Sequence, residues 1–541
     1  MADAAVQGNT GGQGAGGRSR SGGRSGRMQG RKVAGDRNQA VWPGMKGGRY
    51  EPLSRRDMER IHATALDVLE KIGMAEPIPA TRERALAAGC WMNEHDRLCI
   101  PRAMVEDTIA CAARRIVIHG RDPRNDREIG GDSVHFCTAG EAVRVLDFES
   151  GEHRPSTLVD LYDFFRLADR LEHIHHVGQP VVATDLSHDP VLHDLSVAYA
   201  GMCGTSKSFG FSTATASNID LLIEMFDTAL GEKGAFLKRP FCLIGHCPVV
   251  SPLRFGQDTS AVQVRCAELG LVSDMCVAPQ AGATAPAALA GALVQSTAET
   301  LAALVQVKLT NPKARMLFGN WIFVSDLRTG AFTGGSGEEA LLMAGSAQMA
   351  RFYDLPGSVA AGMTDSKQTD YQAGMEKGLT VALAGLAGGN MVTEAAGMMS
   401  SLMGTSYEAM VMDNELLGSV QRTLRGIEVD DDTLSFEVIE DVTLRGPNHY
   451  LGHQQTLSLM QTEFLYPQVA DRQAVGHWEE MGQPTMVSNA RAKVVDVLSG
   501  HFANSIEKDR DAMIRERFNV ALPREAMKAD TCRWKDARIQ Q

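Results

Sequence analysis

Long hydrophobic runs are missing from this 541-residue chain. No apolar stretch reaches the roughly 18 residues a membrane-spanning helix needs, because Gly, Gln, Thr and Glu interrupt the Ala/Leu-rich segments. The first residues lack the apolar core of a secretory signal, so a cytoplasmic protein is expected. No Cys-x-x-Cys occurs among the ten cysteines, which are scattered from Cys90 to Cys532. Such scatter in a long chain argues against a disulfide scaffold and reads as mostly buried thiols. A surplus of positive charge is absent as well. Residues 1–50 hold nine Lys/Arg and two Asp, a net of +7 against −12 for the whole, so the remainder stands at −19. An acidic body disfavours nucleic acid as a partner.

What is present is ordinary globular composition, 44% hydrophobic and 22% charged. Residues 1–45, rich in Gly, Ser and Arg, have almost nothing to bury and are expected to be disordered. Residues 46–175 read as an N-terminal α+β region. Helices are expected at Ser54–Ile72, Pro101–Ala113 and Ser156–Leu171, and the short runs of 130–152 read as a small antiparallel sheet. From 176 to 424 extended segments alternate with helical patterns. The segments lie at 176–184, 206–213, 240–250, 271–278, 314–324, 357–363, 389–395 and 408–412. Eight strand segments mostly alternating with helices predict an α/β fold, a (β/α)8 TIM-type barrel, with an open doubly wound sheet as the alternative. Residues 425–541 form a C-terminal helical region, patterned at 447–464, 469–481 and 489–498, expected to pack on the barrel.

Strand C-terminal ends and the loops after them form the catalytic face of a barrel. That rule singles out His246, Gln280, Trp321, Asp365, Gln368, Tyr371 and Glu394, with Asp185, Thr213, Asn320, Asp413 and Asn414 beside them. Glu394 stands out because a buried carboxylate is costly. The loop Asp365-Ser366-Lys367-Gln368 crowds polar residues ahead of a helix, with Thr369 and Gln372 placed as a capping box. Phosphate and metal chemistry find little support. Gly330–Gly337 lacks the Gly-Lys-Ser/Thr ending of a phosphate loop. His173, His175 and His176 cluster at the wrong end of a strand, and Cys242 and Cys247 lack the further partners that zinc requires. No bound metal is expected.

Four stretches together carry a family resemblance: Gly47–Ser54, Pro279–Pro286, Asp365–Gly378, and Pro467–Trp478 with its Asp471-Arg472. Across most of 45–520 the chain resembles the trimethylamine methyltransferase family, barrel enzymes that pass a methyl group from an amine to a cobalt corrinoid protein. Archaeal members carry pyrrolysine in the barrel. This chain contains only standard residues, so it resembles the branch without pyrrolysine, whose members act on quaternary amines such as glycine betaine, proline betaine or carnitine. The resemblance implies a separate corrinoid protein as partner, a homo-oligomer, and no tightly bound cofactor. In keeping with that, the corrinoid-binding signature Asp-x-His-x-x-Gly is absent, since Asp189 and His193 have the wrong spacing.

The implied chemistry suits the residues. A quaternary ammonium is an activated methyl donor whose leaving amine needs no proton. The site must hold a cation and align a methyl group. Aromatic faces attract such cations, and Trp321, Phe323, Phe332 and Tyr371 are the aromatic residues on offer. Glu394 or Asp365 would add Coulomb attraction. A betaine carboxylate would take its donors from Lys367, Gln368, His246 or the Gly282–Thr284 amides. Alternatives are a methylamine methyltransferase acting on trimethylamine itself, a hydrolase or isomerase using Glu394 or His246 as base, and a non-catalytic amine-binding barrel.

Overall fold

A closed parallel barrel lies at the centre of the chain. In this computed structural model residues 39–537 are described; the expectation of disorder over 1–45 falls almost wholly outside them. The barrel strands are β1 (Ser133–Thr138), β2 (Phe209–Ser212), β3 (Cys242–His246), β4 (Ser273–Met275), β5 (Met316–Gly319), β6 (Gly357–Ala360) and β7 (Met391–Ala396). All neighbouring pairs are parallel, and β7 returns to β1 through Met391↔His135 and Val392↔Phe136. The eighth place, between β1 and β2, is filled by a short bridged segment, with Cys137↔His176 on one side and Val177↔Phe209 on the other.

One helix follows each of the eight positions: α1 (Leu158–Asp169), α2 (Pro190–Gly204), α3 (Asn218–Leu230), α4 (Gln257–Glu268), α5 (Leu289–Thr310), α6 (Gly337–Phe352), α7 (Tyr371–Ala387) and α8 (Tyr407–Arg425). Their starts follow local chemistry. The Thr157 side chain accepts from the Asp160 amide and Asp160 answers as a capping box. Asp189 caps α2 ahead of Pro190, and Ser406 caps α8. At α7 the cap is Asp370, which accepts from the Ala373 amide at 2.9 Å, so the expected Thr369–Gln372 box is replaced by a neighbouring one.

The barrel therefore begins at 133 rather than 176, and two expectations change with it. The run around Val134 and Phe136 is a buried parallel strand; the antiparallel pair of that region is Arg144–Leu146 with His153–Pro155. The run 408–412 is the first turn of α8. A short apolar run fits a buried strand and a buried helical turn equally well, so periodicity alone cannot separate them.

Around the barrel, α5 is buried on nearly every side. It packs between β5 and the N-terminal helices Arg55–Asp67, Pro79–Ala87 and Arg102–Cys111, in one core with Ile61, Leu66, Val105, Leu301, Leu304 and Phe318. After α8, the short helices Gln454–Leu459 and Val475–Glu480 are all that forms in two of the expected helical stretches; Met486–Gly500 is a full helix, and Lys508–Phe518 is a further one. Residues 435–464 form a separate unit. Among the described residues no helix is long and apolar enough to cross a membrane.

Polar bonds tie the C-terminal residues of the main unit to α1. Arg166 is fully buried. It pairs with Asp163 at 2.8 Å and donates to the carbonyls of Leu498 and His501. The Arg533 guanidinium and the Trp534 indole N–H also reach Asp163. Removing one partner of such a pair strands the other charge in a low dielectric. Arg166→Ala is therefore expected to lose about 3–5 kcal/mol of stability. Urea unfolding measures this, and a loss below about 1 kcal/mol would show that Arg533 and Trp534 hold Asp163 by themselves.

Candidate active site

An ordinary TIM barrel is filled by layers of branched side chains. This one is hollow at its C-terminal end. Gly178, Gly210 and Gly245 stand at inward positions of the bridged segment and of β2 and β3, where other barrels place larger residues. The space left is a cavity of about 350 Å3.

Three carboxylates line it: Glu141, Asp274 and Glu394. Glu394 owes its direction to a break in β7. Strict alternation would turn Met391 and Thr393 inward and Glu394 outward. A register shift between Val392 and Ala396, with φ at Glu394 of +61°, turns Glu394 into the cavity as well. A non-glycine residue in that conformation is strained and needs support from its surroundings. The support comes from across the β1–β7 seam, where the Gly140 amide donates to Glu394 Oε2 at 2.7 Å. A Cβ at residue 140 would lie 2.5 Å from Glu394 Oε1, so glycine is what lets the carboxylate approach this backbone. Glu394 is only 5% exposed. Burial raises its pKa to about 8, and the neighbouring Glu141 adds to the rise.

Asp274 sits in the middle of β4, and its carboxylate has no hydrogen-bond partner among the described residues. Burial lifts its pKa to about 6. Glu141 is open to the cavity, yet the protein around it still raises its pKa, against the pull of the Ser212 hydroxyl.

The remaining wall is aromatic, apolar or neutral. Trp321 is pinned by its indole N–H, which donates to Ser358 Oγ at 3.1 Å. Phe323 packs on Phe332 with ring centroids 4.9 Å apart. Phe211, Met275, Met391 and Leu402 complete the apolar part. His246 donates from Nδ1 to the Ile244 carbonyl at 3.0 Å, so its Nε2 accepts from Ser273 Oγ at 2.9 Å. Burial holds both His246 and His176 at a pKa of about 4, and each is neutral near pH 7. Cys247 and Cys276, each the residue just past the end of β3 and β4, have their sulfurs 3.1 Å apart. No lysine or arginine lines the cavity among the described residues, and no group of three or more His, Cys, Asp or Glu is placed to hold a metal ion.

Of the residues singled out from sequence, Trp321, Phe323, His246 and Glu394 converge here. Tyr371, Gln280, Asp365, Lys367 and Gln368 lie outside its wall. Tyr371 is 87% exposed, because it opens α7 on the outer surface. Gln280 belongs to a small sheet with Phe323–Ser325, where its carbonyl collects the amides of Ala283, Thr284 and Ala285 and its side-chain oxygen accepts from Ser325. Asp365 binds the Thr333 hydroxyl, the Gly334 amide and the Ser401 hydroxyl. Lys367 turns back to the Asp365 carbonyl at 2.6 Å, and Gln368 is exposed.

The Asp365 loop acts on the cavity from behind. Glu376 grips the Asp365 amide and the Thr364 hydroxyl, while the carbonyls of Ser366 and Thr364 receive the amides of Ser400 and Ser401. Ser400, Ser401 and Leu402 all have positive φ, and this tight turn carries Leu402 into the cavity wall. Two wall carboxylates escaped the strand-end rule. Glu141 follows a strand not recognised as part of the barrel. Asp274 lies inside a strand, and its charge amid the apolar run Leu271–Val277 was the signal available.

Fold and wall together define a barrel protein with an acidic, aromatic pocket at its C-terminal face. The trimethylamine methyltransferase family model matches residues 20–520, and the chain belongs to that family. Among its relatives, the glycine betaine methyltransferase of Desulfitobacterium hafniense (strain Y51) is 30% identical over 468 residues, 86% of this chain and 96% of that protein. The trimethylamine methyltransferase of Methanosarcina thermophila is 30% identical over 471 residues, 86% of this chain and 96% of that one. The crystal structure of the Methanosarcina barkeri monomethylamine methyltransferase overlaps 88% of this chain and 92% of its own, at 12% identity and a TM-score of 0.44.

The elevated pKa of Glu394 carries a stability consequence. Folded protein holds a proton that the unfolded chain, with an ordinary glutamate value of 4.5, releases. That contribution is fully present below pH 4.5 and is lost as pH rises through about 8. Glu394→Gln removes the titrating group, so its melting temperature is expected to fall less than the parent's between about pH 5 and about pH 9. Parallel slopes in thermal melts would assign the alkaline loss to other groups.

Proposed function

We propose that this protein transfers a methyl group from a quaternary amine to the Co(I) centre of a separate corrinoid protein. The observation that carries the reading is the cavity wall, where Trp321, Phe323 and three carboxylates face one hollow with no lysine or arginine among its described lining residues. A quaternary ammonium offers no hydrogen bond and is recognised by aromatic faces and by opposite charge. Family membership supports the same chemistry, and the relatives' names supply both glycine betaine and trimethylamine as donors.

In the reaction, the cobalt electron pair forms the new bond to the methyl carbon. The nitrogen–carbon pair stays on nitrogen, which leaves as a neutral tertiary amine, so no acid has to deliver a proton. This accords with a neutral His246 committed to Ile244 and Ser273. The work left to the protein is placement, with donor and acceptor atoms held in line at roughly 3–3.5 Å. In this reading Trp321 and Phe323 form part of the cation cage, and Glu394, Asp274 and Glu141 supply the opposing charge. Exposed apolar side chains on the βα-loops at the same end, Leu327 and Met403, suit a docking protein that brings the corrinoid to the mouth.

Loss of Co(I) absorbance on mixing enzyme, reduced corrinoid protein and a panel of betaines, carnitine, choline and trimethylamine tests the reading. At least one quaternary amine is expected to methylate cobalt; turnover of an amine without any corrinoid would sink the proposal. Trp321→Ala is expected to raise KM for the active amine roughly tenfold or more. A change under about twofold would remove Trp321 from the cage. Glu394→Gln is expected to lower kcat/KM by roughly tenfold, and unaltered kinetics would leave it a purely structural role.

A further inference from the structure

The geometry points to a donor that is a net cation without a carboxylate, such as a quaternary ammonium alcohol or a tetraalkylammonium ion, rather than a zwitterionic betaine. This rests on the methyl-transfer reading and narrows its substrate class.

The inference begins with the donors a betaine carboxylate would need. Each of the groups expected to meet it is engaged or lies away from the cavity. Lys367 donates to the Asp365 carbonyl. Gln368 is outside the cavity wall. Both ring nitrogens of His246 are satisfied by Ile244 and Ser273. The Gly282, Ala283 and Thr284 amides close their own turn onto Ala285 and Gln280. Lys377, the buried lysine whose charge Glu394 feels, is held by Asp413 at 2.8 Å and by the Gly362 carbonyl at 3.0 Å. What remains in the wall for an anion is neutral, chiefly the Gln179 amide, whose oxygen already accepts from Ser212, and His176.

Against this stand three carboxylates within one cavity of about 350 Å3. Asp274 has no partner among the described residues, and Glu394 has a single backbone amide. Acids left so poorly compensated call for a mobile counter-charge, and an incoming carboxylate would add to their repulsion.

The two kinds of ligand also differ in the protons they move. The titratable groups facing this space are Glu141 and Cys137 from the β1 side, His176 from the bridged segment, His246 and Cys247 from β3, Asp274 and Cys276 from β4, and Glu394 from β7. Lys377 acts from α7 behind it. Burial keeps the two histidines neutral and raises the thiol of Cys137, while the contact with Cys247, together with burial, raises that of Cys276. Proton exchange around neutral pH therefore belongs to the carboxylic acids. A bound cation favours their ionised forms, so it releases protons and binds more tightly as pH rises. A betaine bound by its carboxylate to protonated Glu394 would retain or take up protons and weaken as pH rises.

Calorimetry on the full chain with choline, tetramethylammonium and glycine betaine, in buffers of different ionisation enthalpy, reads affinity and proton count together. Choline or tetramethylammonium is expected to bind roughly tenfold or more tightly than glycine betaine, with proton release and with affinity rising from about pH 6 to about pH 8. Asp274→Asn and Glu394→Gln are expected to reduce both the preference and the proton release. Glu141→Gln, on the open side of the cavity, gives the same test should either buried variant fail to fold. Tighter binding of glycine betaine, proton uptake, or no binding of either cation would overturn the inference. Co(I) methylation separates it from the reading it rests on. Transfer from glycine betaine but not from choline refutes the net-cation substrate and leaves the methyltransferase standing, whereas transfer from no amine refutes the methyltransferase itself.

Discussion

A carboxylate kept almost free of water is the constraint around which this cavity is organised. Glu394 requires a broken strand to turn it inward, a positive φ to hold it, and one amide, that of Gly140, to receive it. Each of these is unfavourable or restrictive taken singly. Together they place a carboxyl group where only a partial hydrogen-bond shell is available, and burial raises its pKa to about 8, so the folded protein holds it protonated near neutral pH. Glycines at 178, 210 and 245 leave the cavity open, and Trp321 and Phe323 are part of its wall.

The conspicuous polar loop at Asp365 belongs to a second layer. Its carboxylate gathers Thr333, Gly334 and Ser401, and Glu376 in turn gathers Thr364 and Asp365. Three βα-loops are thereby fastened to one another, and the strained Ser400–Leu402 turn is pressed against the cavity. A stretch that reads as reactive because it is polar turns out to be a fastening, and the wall it steadies is mostly apolar. Rigid support of this kind is what a site relying on placement needs.

Much of this was legible in the chain, for physical reasons that also explain the gaps. Parallel strands buried on both faces appear as short apolar runs between helical patterns, so β2 to β7 stand out. The run at Val134 and Phe136 does not, because the Gly-rich turns around it imitate a hairpin. Ala409-Met410-Val411 imitates a strand because α8 is buried at its first turn. At the cavity, reading residues from strand ends finds Trp321, Phe323, His246 and Glu394. It overlooks Glu141, which depends on recognising β1, and Asp274, which lies within a strand. Gln280 and Tyr371 obey the same rule yet end in a turn and on the surface, since the rule gives height along the barrel and not direction.

The contact between Gly140 and Glu394 joins residues 254 positions apart. It closes the first strand of the ring onto the last. While the protein is being made, the amide waits through the synthesis of the bridged segment and of β2 to β6 before its acid emerges from the ribosome. Assembly of the pocket and closure of the ring are thus one event, and a contact so distant in the chain is reached late and slowly. Copies stopped short of β7 lack Glu394 and, with it, the contact that closes the ring.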